Sequence, residues 1–276
     1  MIWKWWKNFK RRRILAQPFP EDLEHVLREH LPVYRTLSGE ERAKIQSDSR
    51  ILMAEKHWEG CGGLNLTDRM KVLIAAQAVL LILYLQHDHY RRVGSILVYP
   101  DTFIAPSQQE GPGGMVSESD VPAHGQAVSS GTVILAWTPI IEGAADPHDG
   151  RNVVFHEFAH KLDMLDGFVD GTPPLSNQRQ YDAWTRIMTE HYEQLREDLK
   201  AGRRTLLDPY AATNPAEFFA VATECFFEIG STLKRRHPDL YRLLAEFYRQ
   251  DPVARHQRLI GEAVRQAGLP PSGETL

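Results

Sequence analysis

In the stretch VVFHEFAHKLDMLDG, Val153 to Gly167, two histidines stand four residues apart and a glutamate directly follows the first. On a helix, positions i and i+4 lie one turn apart and project the same way. His156 and His160 can therefore offer two imidazole nitrogens to one cation. Glu157 lies about 100° round the helix from His156, near such an ion yet free to hold a water. Two neutral nitrogen ligands and a carboxylate base are the groups that zinc-assisted hydrolysis uses. Phe155, Phe158, Ala159 and Leu162 form a separate apolar stripe that would anchor the helix in a core.

A third ligand must come from elsewhere, and two positions compete. Asp166 lies six residues after His160, the spacing of one zinc-protease class. That class needs a glycine, to turn the chain back, at the position held here by Asp163, which lacks glycine's backbone freedom. The other position is Glu217 in NPAEFFAVATE. There Asn214 is a helix cap, Pro215 the first helical residue, and Glu217 falls in the first turn. Tyr210 lies seven residues before it in LDPYAATNPAE. Asp163, one turn from His160 and two from His156, could accept a ring N–H from either, or act as a surface cap or ion-pair partner. Glu224, two turns beyond Glu217, is a weaker candidate for the same task. The remaining histidines show no ligand spacing.

These residues need elements to position them. Residues 21–60 read as helical, with mixed polar and apolar positions at helical spacing. LIAAQAVLLILYL, Leu73 to Leu85, reads as a buried core helix capped by Thr67 or Asp68, since spanning a bilayer takes about 20 apolar residues. SILVYP (Ser95–Pro100) and GTVILAW (Gly131–Trp137) read as strands. The Gly/Pro/Ser-rich run between them, 105–125, reads as a loop, either a spacer or a lid over a cleft. The histidine helix is expected to start near Arg151 and end at Gly167. Further helices are expected over 178–202, from Pro215, near 232–249 and over 252–267. The fold class is α+β, mainly helical, with few strands.

Composition narrows the function. A formal net charge of −4 and a pI near 6.3 give no footprint for direct nucleic-acid binding. Cys61 and Cys225 are far apart and form no disulfide framework, which points to a reducing cytoplasm. The N-terminal MIWKWWKNFKRRR is basic and aromatic with no apolar run behind it, so it is not a secretory signal. It reads either as a surface-binding arm for a membrane or partner, or as a helix packing its tryptophans on the domain.

HEFAHKLD together with YAATNPAEFFA closely resembles the Mlc titration factor A family, bacterial zinc peptidases related to the catalytic domain of anthrax lethal factor. LNLTDRMKVLIAAQAVLLIL and SILVYP also look like that family. The resemblance runs from about Pro18 to Gly268 and is weakest at both ends and over 105–125. It implies a zincin-like metallopeptidase domain over 18–268, between a basic arm (1–17) and a flexible tail (269–276). It further implies one Zn2+ per chain held by His156, His160 and Glu217, with Glu157 as general base and Tyr210 as donor to the oxyanion. A peptide substrate, aminopeptidase-like activity and a transcriptional repressor of sugar-uptake genes, Mlc, as a possible partner also follow from it. In zinc peptidases of this kind the strand before the metal helix, here GTVILAW, would line the cleft and pair with extended substrate.

Overall fold

Several helices begin where a side chain takes up their first N–H groups. The structure, a computed structural model, describes residues 2–85, 90–111, 115–128, 130–146 and 148–266. Helix α1 spans Ile2–Leu15, α2 Glu21–His30, α3 Pro32–Thr36 and α4 Gly39–Glu55. Ser38 and Glu41 close a reciprocal capping box on α4. The expectation of helix throughout 21–60 fails at its end, because His57–Gly60 forms strand β1. Four residues of alternating exposure, only Trp58 of them large and apolar, give a periodicity too short to read.

Helix α5, Asp68–Leu81, is capped by the Thr67 side chain, and every residue from Val72 to Leu81 is buried. It lies at the centre of one continuous apolar core that runs from Leu23 to Tyr248. Among the described residues no helix is long and apolar enough to cross a membrane.

The main sheet has four strands in the order β1, β2, β6, β5. Strands β2 (Ser95–Tyr99) and β6 (Thr132–Ala136) run parallel to β1 and to one another, and β5 (Gly125–Val128) is antiparallel to β6. Ile96, Val98, Val133 and Leu135 alternate into the core, the period-2 burial of a half-covered sheet. β6 is thus paired on both sides, and the outer strands of the sheet are β1 and β5, not the GTVILAW strand.

The run 105–125 is not a loop. Strands β3 (Phe103–Gly111) and β4 (Met115–Ala123) pair antiparallel, in register from Phe103↔Ala123 to Gly111↔Met115. A ladder of backbone hydrogen bonds needs no favourable composition, and Gly, Pro and Ser hid it.

The C-terminal half is helical: α6 (Trp137–Ala145), α7 (Val153–Asp163), α8 (Gln178–Lys200), α9 (Pro215–Glu228), α10 (Gly230–Arg236), α11 (Pro238–Tyr248) and α12 (Pro252–Gln266). The helix expected over 232–249 is two helices broken at Pro238, because a proline disfavours helical backbone in the residue before it. α7 ends at Asp163, four residues before Gly167; Gly167, with φ 108°, closes the following turn on the Met164 carbonyl at 3.2 Å. The tail 269–276 lies outside the described residues.

Candidate metal centre

Two helices build the centre, and each is fixed at its N-terminus by an asparagine. Asn152 caps α7 through Phe155 N at 3.0 Å, and Asn214 caps α9 through Glu217 N at 2.9 Å, with Pro215 in the first turn. The second cap sets the backbone of Glu217 directly. Phe155, Phe158, Ala159 and Leu162 of α7 are all buried, which turns the opposite face of that helix toward α9.

On that face three ligand atoms meet. His156 Nε2 lies 2.9 Å from Glu217 Oε2 and 3.2 Å from His160 Nε2, and His160 Nε2 lies 3.3 Å from Glu217 Oε2. Tetrahedral bonds of about 2.0–2.1 Å place neighbouring ligand atoms about 3.3 Å apart, so the triangle has the size a small divalent ion requires. Among the described residues this is the one group of three or more His, Cys, Asp or Glu side chains that converges in this way. Asp166 does not join it; its side chain is exposed and accepts from Phe168 N.

The charge pattern favours a cation. Nδ1 of His156 lies 2.7 Å from Glu224 Oε1. With one ring proton held there, Nε2 is the nitrogen that would ligate an ion. Burial disfavours the imidazolium, yet the Glu224 and Glu217 carboxylates raise the pKa of His156 well above the ordinary histidine value. Burial would likewise raise Glu217, but hydrogen bonds from His156 and His160 hold it far below the usual carboxylate range. The three ligand atoms lie within 3.3 Å of one another with positive charge between them, the Nε2 proton that the raised pKa keeps on His156 or a divalent ion in its place. The donor set of two imidazoles and one carboxylate suits zinc.

Glu224 had a larger share in the site than its place in the sequence suggested. Its Oε1 meets His156, and its Oε2 accepts from Asn152 N at 2.6 Å. Asn152 in turn donates from Nδ2 to Gln77 of α5 at 2.8 Å and to Glu228 at 3.0 Å. Burial pushes the Glu228 carboxyl up to about 8, so it is mostly neutral at pH 7 and adds little second negative charge. One side chain, Asn152, therefore joins α5, α7 and α9. Asp163 does not take the orienting role: its Oδ2 accepts from Gly171 N at 3.0 Å, and its buried Oδ1 and His160 Nδ1 each lack a hydrogen-bond partner. What Asp163 holds is the loop after α7. Gly171 has φ 77°, and a Cβ there would come within 2.3 Å of the Pro215 carbonyl, so the loop is pressed onto the start of α9. Glu224→Gln is expected to lower metal affinity about 10–100-fold with little change in fold. Titration against a competing chelator measures it, and unaltered affinity would show that His156 needs no such partner.

Glu157 is buried at 5% exposure, and burial raises its pKa against the opposing pull of His156 and His160. It packs on strand β5: a Cβ at Gly125 would lie 2.4 Å from Glu157 Oε1. At the other end of that strand Lys161 donates to the Val128 carbonyl, and burial lowers the lysine to about 8. Two side chains of α7 thus seat β5 alongside the centre. No signal in the sequence marked Gly125 or Lys161.

Tyr210 lies in a single 3-10 turn, Pro209–Ala212, capped by Asp208 through Tyr210 N at 2.9 Å. Arg151, just before α7, pairs with the same aspartate. The Tyr210 ring centroid is 6.0 Å from that of His156 and the side chain is 53% exposed. Burial first, then the charge and hydrogen bond of Glu217, raise its pKa, so the phenol keeps its proton.

A paired-histidine helix and a carboxylate from a second helix thus converge beside the edge strand of a small mixed sheet. The chain belongs to the glucose-regulated metallo-peptidase M90 family, whose model matches residues 3–249. A protein of Synechocystis sp. described as uncharacterized is 38% identical over 255 residues, 91% of this chain and 93% of that one. Mlc titration factor A of Serratia proteamaculans is 33% identical over 237 residues, 84% and 88% of the two chains. That of Pectobacterium atrosepticum is 33% identical over 258 residues, 91% and 93%.

Proposed function

We propose that the protein is a zinc peptidase of the cytoplasm in which His156, His160 and Glu217 hold one metal ion, Glu157 is the general base and Tyr210 an oxyanion donor. The observation that carries this reading is the triangle of ligand atoms, closed to 2.9–3.3 Å by side chains from two helices. When bound, an ion in such a site supplies Lewis acidity, making a water acidic and polarising a carbonyl. The residues supply the rest. Glu157, its pKa raised by burial, takes a proton from water and passes it to the leaving amine. Tyr210, protonated at neutral pH, donates to the oxygen on which charge develops. The outer edge of β5 offers backbone groups to an extended peptide, and its position beside Glu157 brings a scissile bond to the base. Whether the chain trims N-termini or cuts internally depends on what closes that edge; we favour trimming, on the family resemblance.

A digest of a peptide library, with and without a chelator, tests the reading. Cleavage that stops on chelation and returns with zinc supports it; cleavage indifferent to chelator removes the metal from the reaction. In the same assay Tyr210→Phe is expected to lower kcat about 10²–10³-fold, as loss of a single oxyanion donor does, with metal content unchanged. Equal loss of metal and turnover would make Tyr210 structural.

The relatives of Serratia proteamaculans and Pectobacterium atrosepticum bear the name Mlc titration factor A, and we extend to this chain the binding of that repressor or an analogue. An alternative follows in which sequestration, with little proteolysis, is the main role. The intact base and ligand set favour the peptidase. Capture of the repressor by wild type and by Glu157→Gln alike, beside hydrolysis by wild type alone, would assign both functions.

A further inference from the structure

Helix α1 is docked by one side and bare on the other. Arg11 grips Glu55 of α4 with two hydrogen bonds, 2.6 and 2.8 Å, and Arg50 of α4 reaches the carbonyls of Ile14 and Gln17 at the helix end. Arg11 and Ile14 are half-buried at this seam. On the outer side Trp5, Trp6 and Phe9 are 64%, 63% and 52% exposed. They form one cluster, Trp5 stacked on Phe9 at 5.8 Å and edge-on to Trp6 at 6.4 Å. Of the two readings of the arm, the exposure of Trp5 and Trp6 goes against tryptophans packed on the domain. Leaving three contiguous aromatic rings in solvent is costly for a soluble chain and marks an interaction surface.

Charge identifies what that surface meets. The first 20 residues contain six of the chain's 32 Lys and Arg and none of its 36 Asp and Glu. The arm is therefore formally +6 and the remainder, with 26 basic against 36 acidic residues, −10. Lys10, Arg12 and Arg13 are exposed on the helix that presents the rings. Indole rings settle at the level of lipid headgroups, and cations beside them meet anionic phosphates. Nucleic acid would use the cations but leave an aromatic cluster on a regular helix without unstacked bases to meet. A protein groove would not call for a uniformly basic rim.

We propose that α1 is an interfacial anchor that seats this protein reversibly on anionic phospholipid bilayers, with Trp5, Trp6 and Phe9 in the headgroup layer and Lys10, Arg12 and Arg13 on the phosphates. The helix lies in the plane of the interface and does not span it. Its rigid link through Arg11 and Glu55 carries the body along, while the negative body is repelled from the same surface. The anchor is independent of the metal centre and of whatever reaction that centre performs.

Sedimentation of the full-length protein with vesicles tests this directly. Equal parts phosphatidylglycerol and phosphatidylcholine should pull the protein down and shift its tryptophan emission to the blue, and phosphatidylcholine alone should not. Added salt should weaken the binding. Replacing Lys10, Arg12 and Arg13 together by Gln should cost on the order of a hundredfold in affinity, at about fivefold per cation. Trp5→Ala, Trp6→Ala and Phe9→Ala together should cost roughly tenfold per ring, with far-UV circular dichroism unchanged. The two triple variants change different exposed side chains, none of them in the Arg11–Glu55 contact, so either one alone keeps the test decisive. Protein left in the supernatant with anionic vesicles overturns the proposal. So does wild type eluting as a dimer that the aromatic variant returns to monomer, or binding to heparin alone.

Discussion

Glu157→Gln is expected to hold its metal and lose peptide hydrolysis by roughly 10²–10⁴-fold, the range that a positioned general base contributes. The amide fills the same space against Gly125, where even a Cβ would lie 2.4 Å from Glu157 Oε1, so strand β5 and helix α7 keep their contact. What it loses is the ability to accept a proton. The variant is also expected to be no less stable than wild type, since burial already disfavours the Glu157 carboxylate and a neutral amide avoids that cost. Steady-state kinetics beside elemental metal analysis separates the two properties. A zinc-loaded Gln variant that still cuts at the wild-type rate would remove Glu157 from the reaction.

Glu217→Ala is expected to have the opposite signature, losing the metal and with it all turnover. Glu217 is the only anionic corner of the triangle, and both imidazoles bond to its Oε2, at 2.9 and 3.3 Å. Its loss should lower affinity by more than the roughly 10–100-fold that follows from removing a hydrogen-bond partner of a ligand. The Asn214 cap bonds the backbone N–H of residue 217, not its side chain, so α9 should still form. Thermal melting supplies the check. Metal binding stabilises the folded chain, by about 4 kcal/mol when the ion is at a thousand times its Kd. Wild type should therefore melt lower after chelation and the variant at one temperature with or without chelator. A variant that still responds to chelator would keep a site that does not need Glu217.

The centre was legible in the sequence to the extent that helical geometry defines it. His156, Glu157 and His160 are local, and their relative placement follows from 3.6 residues per turn. Asn214 and Pro215 announce the start of α9 in the same local way, and so the place of Glu217. That the two helices cross at those turns is a tertiary fact; the lack of a glycine at 163 counted against Asp166, and the family resemblance chose Glu217. The orienting residue shows the limit. Asp163 was nearer to both histidines along α7, but its carboxylate turns to Gly171, while Glu224, on another helix, meets His156. Gln77 stands in an otherwise apolar run of α5, and its partner Asn152 is 75 residues away. Strands β2 and β6 were visible by their branched residues, whereas β1 was too short and β3–β4 too poor in apolar residues to register. The edge position of β5 depends on sheet order, which no local pattern encodes.

An anomalous-scattering map of the protein crystallised with zinc, recorded at the zinc edge, tests the centre most directly. One peak is expected, bonded at about 2.0–2.2 Å to the Nε2 atoms of His156 and His160 and to a Glu217 oxygen, with a position left open toward Glu157. A peak ligated by Asp166 or by other residues, or density showing the Glu217 carboxylate turned away from both imidazoles, would contradict the proposed site and the chemistry built on it.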